Sequence, residues 1–362
     1  WVFAIWASRS SVHALQITGI QPPSRGFSKG NKMETVFIDR RSSVVTIDRG
    51  RLSVRGADHH TSVPLRQMQA LVICCDCQLS AAMLRSLGEH GVSLICLNHR
   101  NIDASLVSVP QSHGNVQRRI RQYQWLQDAQ LMGRLATLIV RRKIALQRRT
   151  VVESLAVRPD CRFALFKGQA QLTDRLSDLR ELSTGSNNEH DLIPTLLGIE
   201  GAAARIYFSA WQSVFPESWQ FHRRTRRPPT DPVNALLSLG YTLLYFDAMR
   251  ACYGAGLDPL IGILHQPSYG RASLACDLVE LLRHRVDRWV WHMVRNQVLR
   301  PDHFVTEPQG ACLLNKTGRQ LFFEQYMLLA PQWRASLRRY SGALSNWLER
   351  GTDHGRQISD RL

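Results

Sequence analysis

The segment Ser105-Leu106-Val107-Ser108-Val109-Pro110-Gln111-Ser112-His113-Gly114 is where the chain changes its hydrophobic pattern. Upstream of it the pattern is that of short strands. Val36-Phe37-Ile38, Ser43-Val44-Val45-Thr46-Ile47 and Arg51-Leu52-Ser53-Val54 are β-branched runs, and Asp48-Arg49-Gly50 is a turn signal between the last two. Leu71-Val72-Ile73 is wholly apolar and reads as a buried strand. Ser80 is placed to cap a helix over Ala81–His90 that Gly91 closes, and Val92–Cys96 and Ser105–Val109 complete a small sheet. Pro110 to Gly114 cannot extend a strand, so a domain boundary falls there.

Downstream the spacing is helical. Gln117–Leu155 carries apolar residues at helical intervals, decorated by Arg118, Arg119, Arg121, Arg134, Arg141, Arg142, Lys143, Arg148 and Arg149. Further helices are predicted over 192–211, 231–255, 271–299 and 318–328, with a helical stretch on to Leu348. The predicted class is α+β, with a small β-rich N-terminal domain over 33–110 followed by a larger all-α domain over 111–350. Residues 1–32 lack Asp and Glu and turn rich in Pro, Gly, Ser and Lys from Gln21, the composition of a linker or the tail of an upstream segment. A start at Met33 is the competing reading. Residues 351–362 form a polar tail.

With 46 Lys and Arg against 29 Asp and Glu in 362 residues, the formal charge is +17. On a chain whose apolar fraction of 44% suffices for a core, that excess calls for a polyanionic partner, most simply nucleic acid. No apolar run is long enough for a transmembrane helix, and eight cysteines without a paired framework point to a reducing, cytoplasmic setting. Cys74 and Cys77, with Cys75, Cys96 and His99 nearby, suggest zinc, but no second Cys-x-x-Cys follows and buried small hydrophobes are the preferred role. No phosphate loop, dinucleotide fingerprint or nucleophile elbow is present.

Three short motifs can carry chemistry. Gly198-Ile199-Glu200-Gly201 sets a lone glutamate between glycines; read alone it is a solvated helix residue paired to Arg205. Gly262-Ile263-Leu264-His265 ends an apolar approach on a histidine, which alone reads as structural. Asp277 and Glu280 share a helix face, and Arg283 could neutralise them. Together Glu200, His265 and the two acids suit Mg²⁺ or Mn²⁺, with His284 a weaker ligand candidate that otherwise reads as a surface residue or phosphate contact.

Taken in order, these segments resemble the universal CRISPR-associated endonuclease family, the CRISPR adaptation integrases. Leu197–Phe208 is similar to that family's glutamate motif, Asp231–Tyr241 to its central helix, Gly256–His265 to its histidine motif and Ser273–Arg283 to its acidic helix. Thr35–Asp48 resembles its first hairpin, and the likeness runs from Met33 to about Leu348. The resemblance implies a helical catalytic domain with Glu200, His265 and Glu280 as metal ligands and Asp277 as an auxiliary acid. It also implies homodimers, a small ferredoxin-like CRISPR-associated partner, protospacer and repeat DNA as substrates, and in some members a fused upstream reverse transcriptase.

The function expected on that basis is joining of protospacer 3′-hydroxyl ends to CRISPR repeat ends by metal-dependent transesterification. A nuclease cleaving DNA or branched junctions without integration, and a non-catalytic DNA-binding scaffold, are the alternatives. Arg205, Arg271 and the loop residues Arg223, Arg224, Arg226 and Arg227 are candidate phosphate contacts, and the basic helix at 118–149 adds a broader surface. Tyr207, Tyr241, Trp211 and Trp219 could stack on splayed ends, although helical spacing favours core packing for most of them.

Overall fold

The computed structural model describes residues 33–39, 44–56, 59–98, 104–110, 115–184, 192–225 and 228–350. The linker, the polar tail, His99, Arg226 and Arg227 lie outside the described residues. Contacts divide the chain into two units, up to and beyond Pro110.

In the first unit, β1 (Met33–Ile38), β5 (Met68–Ile73), β6 (Ser93–Cys96) and β7 (Leu106–Ser108) form one sheet in that order. The β1–β5 and β5–β6 pairs are parallel and β6–β7 antiparallel. β2 (Val44–Asp48), β3 (Arg51–Gly56) and β4 (His59–Pro64) form an antiparallel meander. Asp48 pairs with Arg51, leaving Arg49-Gly50 as a two-residue turn with φ of 46° and 70°. Those positive angles match the twist of the flanking strands and explain the glycine. Helix α1 (Ala81–Glu89) starts where Ser80 Oγ accepts from Met83 N at 3.1 Å. Val36, Ile38, Leu52, Leu71, Met83, Leu87 and Leu94 share one apolar core. Cys75, Cys77 and Cys96 pack against it, and burial pushes the thiols of Cys77 and Cys96 up. Strand β4 is too polar to stand out in the sequence and is held by its pairing with β3.

The second unit is built on α6 (Pro232–Gly254), which is buried on nearly every side because its sequence is apolar all round. Asp231 Oδ1 caps it by accepting from Asn234 N at 2.9 Å. Around α6 pack α7 (Ser273–Glu280), α8 (Arg283–Arg295) and α9 (Lys316–Arg350). A second layer joins α3 (Ala129–Val157), α4 (Arg162–Thr184) and α5 (Leu192–Trp211).

Several predicted boundaries shift. The helix expected over 117–155 is two, α2 (Val116–Trp125) and α3, because Asp128 accepts from Leu131 N and starts a new helix. The helix expected over 271–299 breaks at Leu281–Leu282. The two C-terminal stretches are one helix that continues through Pro331. An internal proline costs about 3 kcal/mol, but Phe322, Tyr326, Trp333, Leu337 and Tyr340 bury one face on both sides of it. At about 1.5–3 kcal/mol for each large apolar side chain, packing outweighs the break. Helix α4 and the hairpin of β8 (Phe304–Thr306) and β9 (Cys312–Leu314) were not foreseen. No described helix is long and apolar enough to cross a membrane.

Candidate metal centre

Three helices deliver charged side chains to one point. In α5 the buried residues Leu196, Ala203 and Tyr207 recur at helical spacing, and Glu200 falls on the same stripe. In α3 the stripe of Ala136, Ile139, Val140, Ile144, Gln147 and Val151 includes Lys143, which is 5% exposed. Glu280 ends α7 at 4% exposed. The Lys143 ammonium donates to Glu200 Oε1 and stands 2.5 Å from Glu280 Oε2. Arg283, the first residue of α8, donates from Nε to Glu280 Oε1 at 2.8 Å and stacks 4.4 Å above the Tyr241 ring. Burial alone would raise the Glu280 pKa, but Arg283 and Lys143 outweigh it and hold the carboxyl at about 2. Glu200 therefore pairs with Lys143, not with Arg205, which projects from α5 into solvent.

The histidine loop is built around Asp277. Its Oδ2 accepts from the backbone of Ile263 at 2.5 Å and Leu264 at 3.2 Å, and its Oδ1 accepts from the backbone of His265 at 3.1 Å. The same Oδ1 lies 2.7 Å from His265 Nδ1. A carboxylate can only accept, so Nδ1 donates and Nε2 is the ring nitrogen left for another partner. Gly262 permits this turn: a Cβ there would sit 2.3 Å from the His265 carbonyl oxygen and 2.6 Å from Ser273 Cβ. Asp277 is 1% exposed, and burial pushes its pKa up against these hydrogen bonds. With its oxygens engaged by the loop, it positions His265.

The structure thus brings Glu200 and Glu280 together through a shared cation. His265 is near enough to Glu280 to lower its pKa, but stays outside that contact. Among the described residues, no group of three His, Cys, Asp or Glu side chains is drawn together tightly enough to hold a metal ion. The donor set nevertheless fits a hard divalent cation. Two carboxylates from different helices already converge on one positive charge.

Other expectations divide. His284 is half-buried: its Nδ1 is buried without a partner, and burial together with neighbouring arginines lowers its pKa to about 3. Arg223 is exposed, whereas Arg224 donates to Asn234 Oδ1 at 2.7 Å and Ser238 Oγ at 3.1 Å. Arg271 braces the histidine loop by donating to the Gln266 carbonyl at 2.5 Å and Ser273 Oγ at 3.2 Å. The proposed stacking aromatics Tyr207, Tyr241, Trp211 and Trp219 are all buried in the core. Tyr207 and Tyr241 both donate to Asp287. Lys143 was passed over as one more basic decoration of a helix; its place on the apolar stripe was the signal that could have found it.

The family model described as CRISPR associated protein Cas1 matches residues 36–327. The CRISPR-associated endonuclease Cas1 1 of Thermodesulfovibrio yellowstonii is 36% identical over 308 residues, covering 83% of this chain and 93% of that protein. The chain belongs to the Cas1 family of CRISPR-associated endonucleases. Its fold is shared with a chain of a Cas6-RT-Cas1–Cas2 complex, at a TM-score of 0.75 and 24% identity over 90% of this chain and 36% of that longer one. It is shared also with a casposase bound to integration product, at a TM-score of 0.70 and 18% identity over 91% of this chain and 98% of that one.

Proposed function

We propose that this chain is a divalent-metal-dependent DNA integrase of CRISPR adaptation. The observation that supports the reading is the convergence of Glu200 and Glu280 on the Lys143 ammonium, together with a histidine oriented by Asp277, in a chain of the Cas1 family. In the proposed reaction a 3′-oxygen of protospacer DNA bonds to the phosphorus at a repeat end. The bond from that phosphorus to the departing 3′-oxygen breaks. The proton lost by the attacking hydroxyl is matched by the one the departing oxygen gains. One phosphodiester replaces another, so no co-reactant is needed, and catalysis reduces to positioning and charge stabilisation.

Glu200, Glu280 and His265 would hold Mg²⁺ or Mn²⁺, which when bound stabilises negative charge developing on the phosphate. Glu280 stays ionised because Lys143 and Arg283 flank it. Asp277 keeps His265 in the tautomer whose Nε2 can donate its lone pair. Exposed Arg205 and Arg223 are proposed phosphate contacts. A second copy and a small ferredoxin-like partner are the proposed assembly, in the cytoplasm of a prokaryote. A fused reverse transcriptase is a proposal supported by the likeness to the Cas6-RT-Cas1 chain.

The test is strand transfer into a repeat-containing plasmid, using donor duplexes with a 3′-hydroxyl or a 3′-deoxy end. Joined product from the first donor alone is expected. Cleavage of both without joining would favour the nuclease reading, and binding without turnover the scaffold.

A further inference from the structure

Asp277 holds the last three residues of the histidine loop, and the stretch before them is held by α2. Gln122 of α2 is 1% exposed. Its Nε2 donates to the carbonyls of Asp258 at 2.9 Å and Ile261 at 3.0 Å, and its Oε1 accepts from Asp258 N at 2.8 Å. Both amide hydrogens are thus used on one loop, and the two carbonyls fix which way the amide faces. Next to it, Tyr123 donates to Asp258 Oδ2 at 2.7 Å, while Asp258 Oδ1 accepts from Leu260 N at 2.9 Å. Leu274 of α7 donates from its backbone to the Pro259 carbonyl at 2.9 Å.

The two supports nearly meet. Gln122 reaches Ile261 and Asp277 begins at Ile263, so Gly262 alone separates them, at a point too tight for a Cβ. A displacement of Ile261 is therefore passed on to His265. A buried methionine would fill the space of Gln122 without needing partners. The amide adds little net stability, but any other course of the loop leaves it and the backbone unpaired, so it specifies one course. Helix α2 is itself fixed by the end of α9. Arg121 donates to the carbonyls of Leu348 at 3.0 Å and Glu349 at 2.9 Å, and the Trp125 and Trp347 rings lie 4.7 Å apart. Arg118 and Ser345 both donate to the Ala255 carbonyl, each at 2.9 Å, where the loop begins.

We propose that Gln122 is a positioning residue for His265, and that the seat of α2 on the end of α9 sets the place of that histidine in the proposed metal centre. The three hydrogen bonds of Gln122 act on the backbone and not on the imidazole, so their loss moves His265 without removing a ligand. The proposal rests on the reading of His265 as a member of that centre.

The test compares the full chain with Gln122→Met, which keeps the length of the side chain and loses its polar atoms. Tyr123→Phe, at an exposed position, is the second variant and decides the matter if the first does not fold. Three quantities are read: affinity for a DNA duplex, strand-transfer turnover at saturating DNA, and the His265 Nδ1 proton resonance in histidine-labelled protein, assigned by its absence from His265→Ala. A residue that only fills the core would lower the unfolding temperature and leave the resonance and the turnover in place. The expected result for Gln122→Met is a shifted His265 resonance, turnover lower by about tenfold and unchanged DNA affinity. Tyr123→Phe should move the same two quantities by less. An unshifted resonance in both variants, or wild-type turnover in Gln122→Met, overturns the positioning role alone. Wild-type strand transfer by His265→Ala removes His265 from the centre, and the proposal falls with that reading.

Discussion

Lys143 Nζ lies 2.5 Å from Glu280 Oε2, joining the middle of α3 to the end of α7 at a buried point. The same ammonium meets Glu200 of α5, so one lysine neutralises two carboxylates from two other helices. Replacing it with methionine leaves buried negative charge facing negative charge. Loss of one partner of a buried pair costs about 3–5 kcal/mol. Lys143→Met should therefore unfold at lower temperature than wild type. Added Mn²⁺ should recover more stability in the variant than in the wild type, because the metal replaces the missing positive charge. Calorimetric scans with and without Mn²⁺ check this.

Asp277 acts through His265. Asp277→Asn can no longer accept at every contact now made by the loop and the imidazole, so His265 loses its fixed tautomer. Strand-transfer rate should fall about 10–100-fold, with the far-ultraviolet circular dichroism preserved. A rate within error of wild type would remove Asp277 from the account.

Gly262→Ala is expected to disturb the same loop from the other side. Its Cβ would stand 2.3 Å from the His265 carbonyl, a contact that backbone movement must relieve. The expected cost is about 1–3 kcal/mol, read as a lowered midpoint in urea, together with loss of activity.

Asp287, joined to Arg283 of the centre through Tyr241, supplies a pH signature. Burial raises its pKa to about 6 against the hydrogen bonds from Tyr241 and Tyr207. A carboxyl raised above its unfolded value of 3.8 favours folding most when neutral. That contribution is fully present below pH 3.8 and is lost as pH rises through about 6. The change is at most about 3 kcal/mol. Asp287→Asn should flatten this part of the stability profile, measured by urea unfolding between those pH values.

Much of this organisation was legible in local chemistry. The Ser80 cap, the Arg49-Gly50 turn and the all-round apolar sequence of α6 are each determined by a few neighbouring residues. Glu200, His265, Asp277 and Glu280 were singled out through motifs whose order resembled a family. What escaped depends on partners remote in sequence. Lys143 and Glu200 are 57 residues apart, and nothing near Lys143 announces a carboxylate. Tyr207 and Tyr241 looked like stacking residues until Asp287 of α8 was seen to accept from both. The break after Glu280 is likewise a tertiary matter, since Leu281 and Leu282 are as helix-compatible as their neighbours but are buried where the chain turns into α8.

The most direct test of the central claim is Mn²⁺ binding followed by electron paramagnetic resonance, in wild type, Glu200→Gln and Glu280→Gln. The account predicts a bound Mn²⁺ signal in the wild type, a large loss of affinity in both variants and a parallel loss of strand transfer. Wild-type Mn²⁺ affinity in either glutamine variant would contradict it.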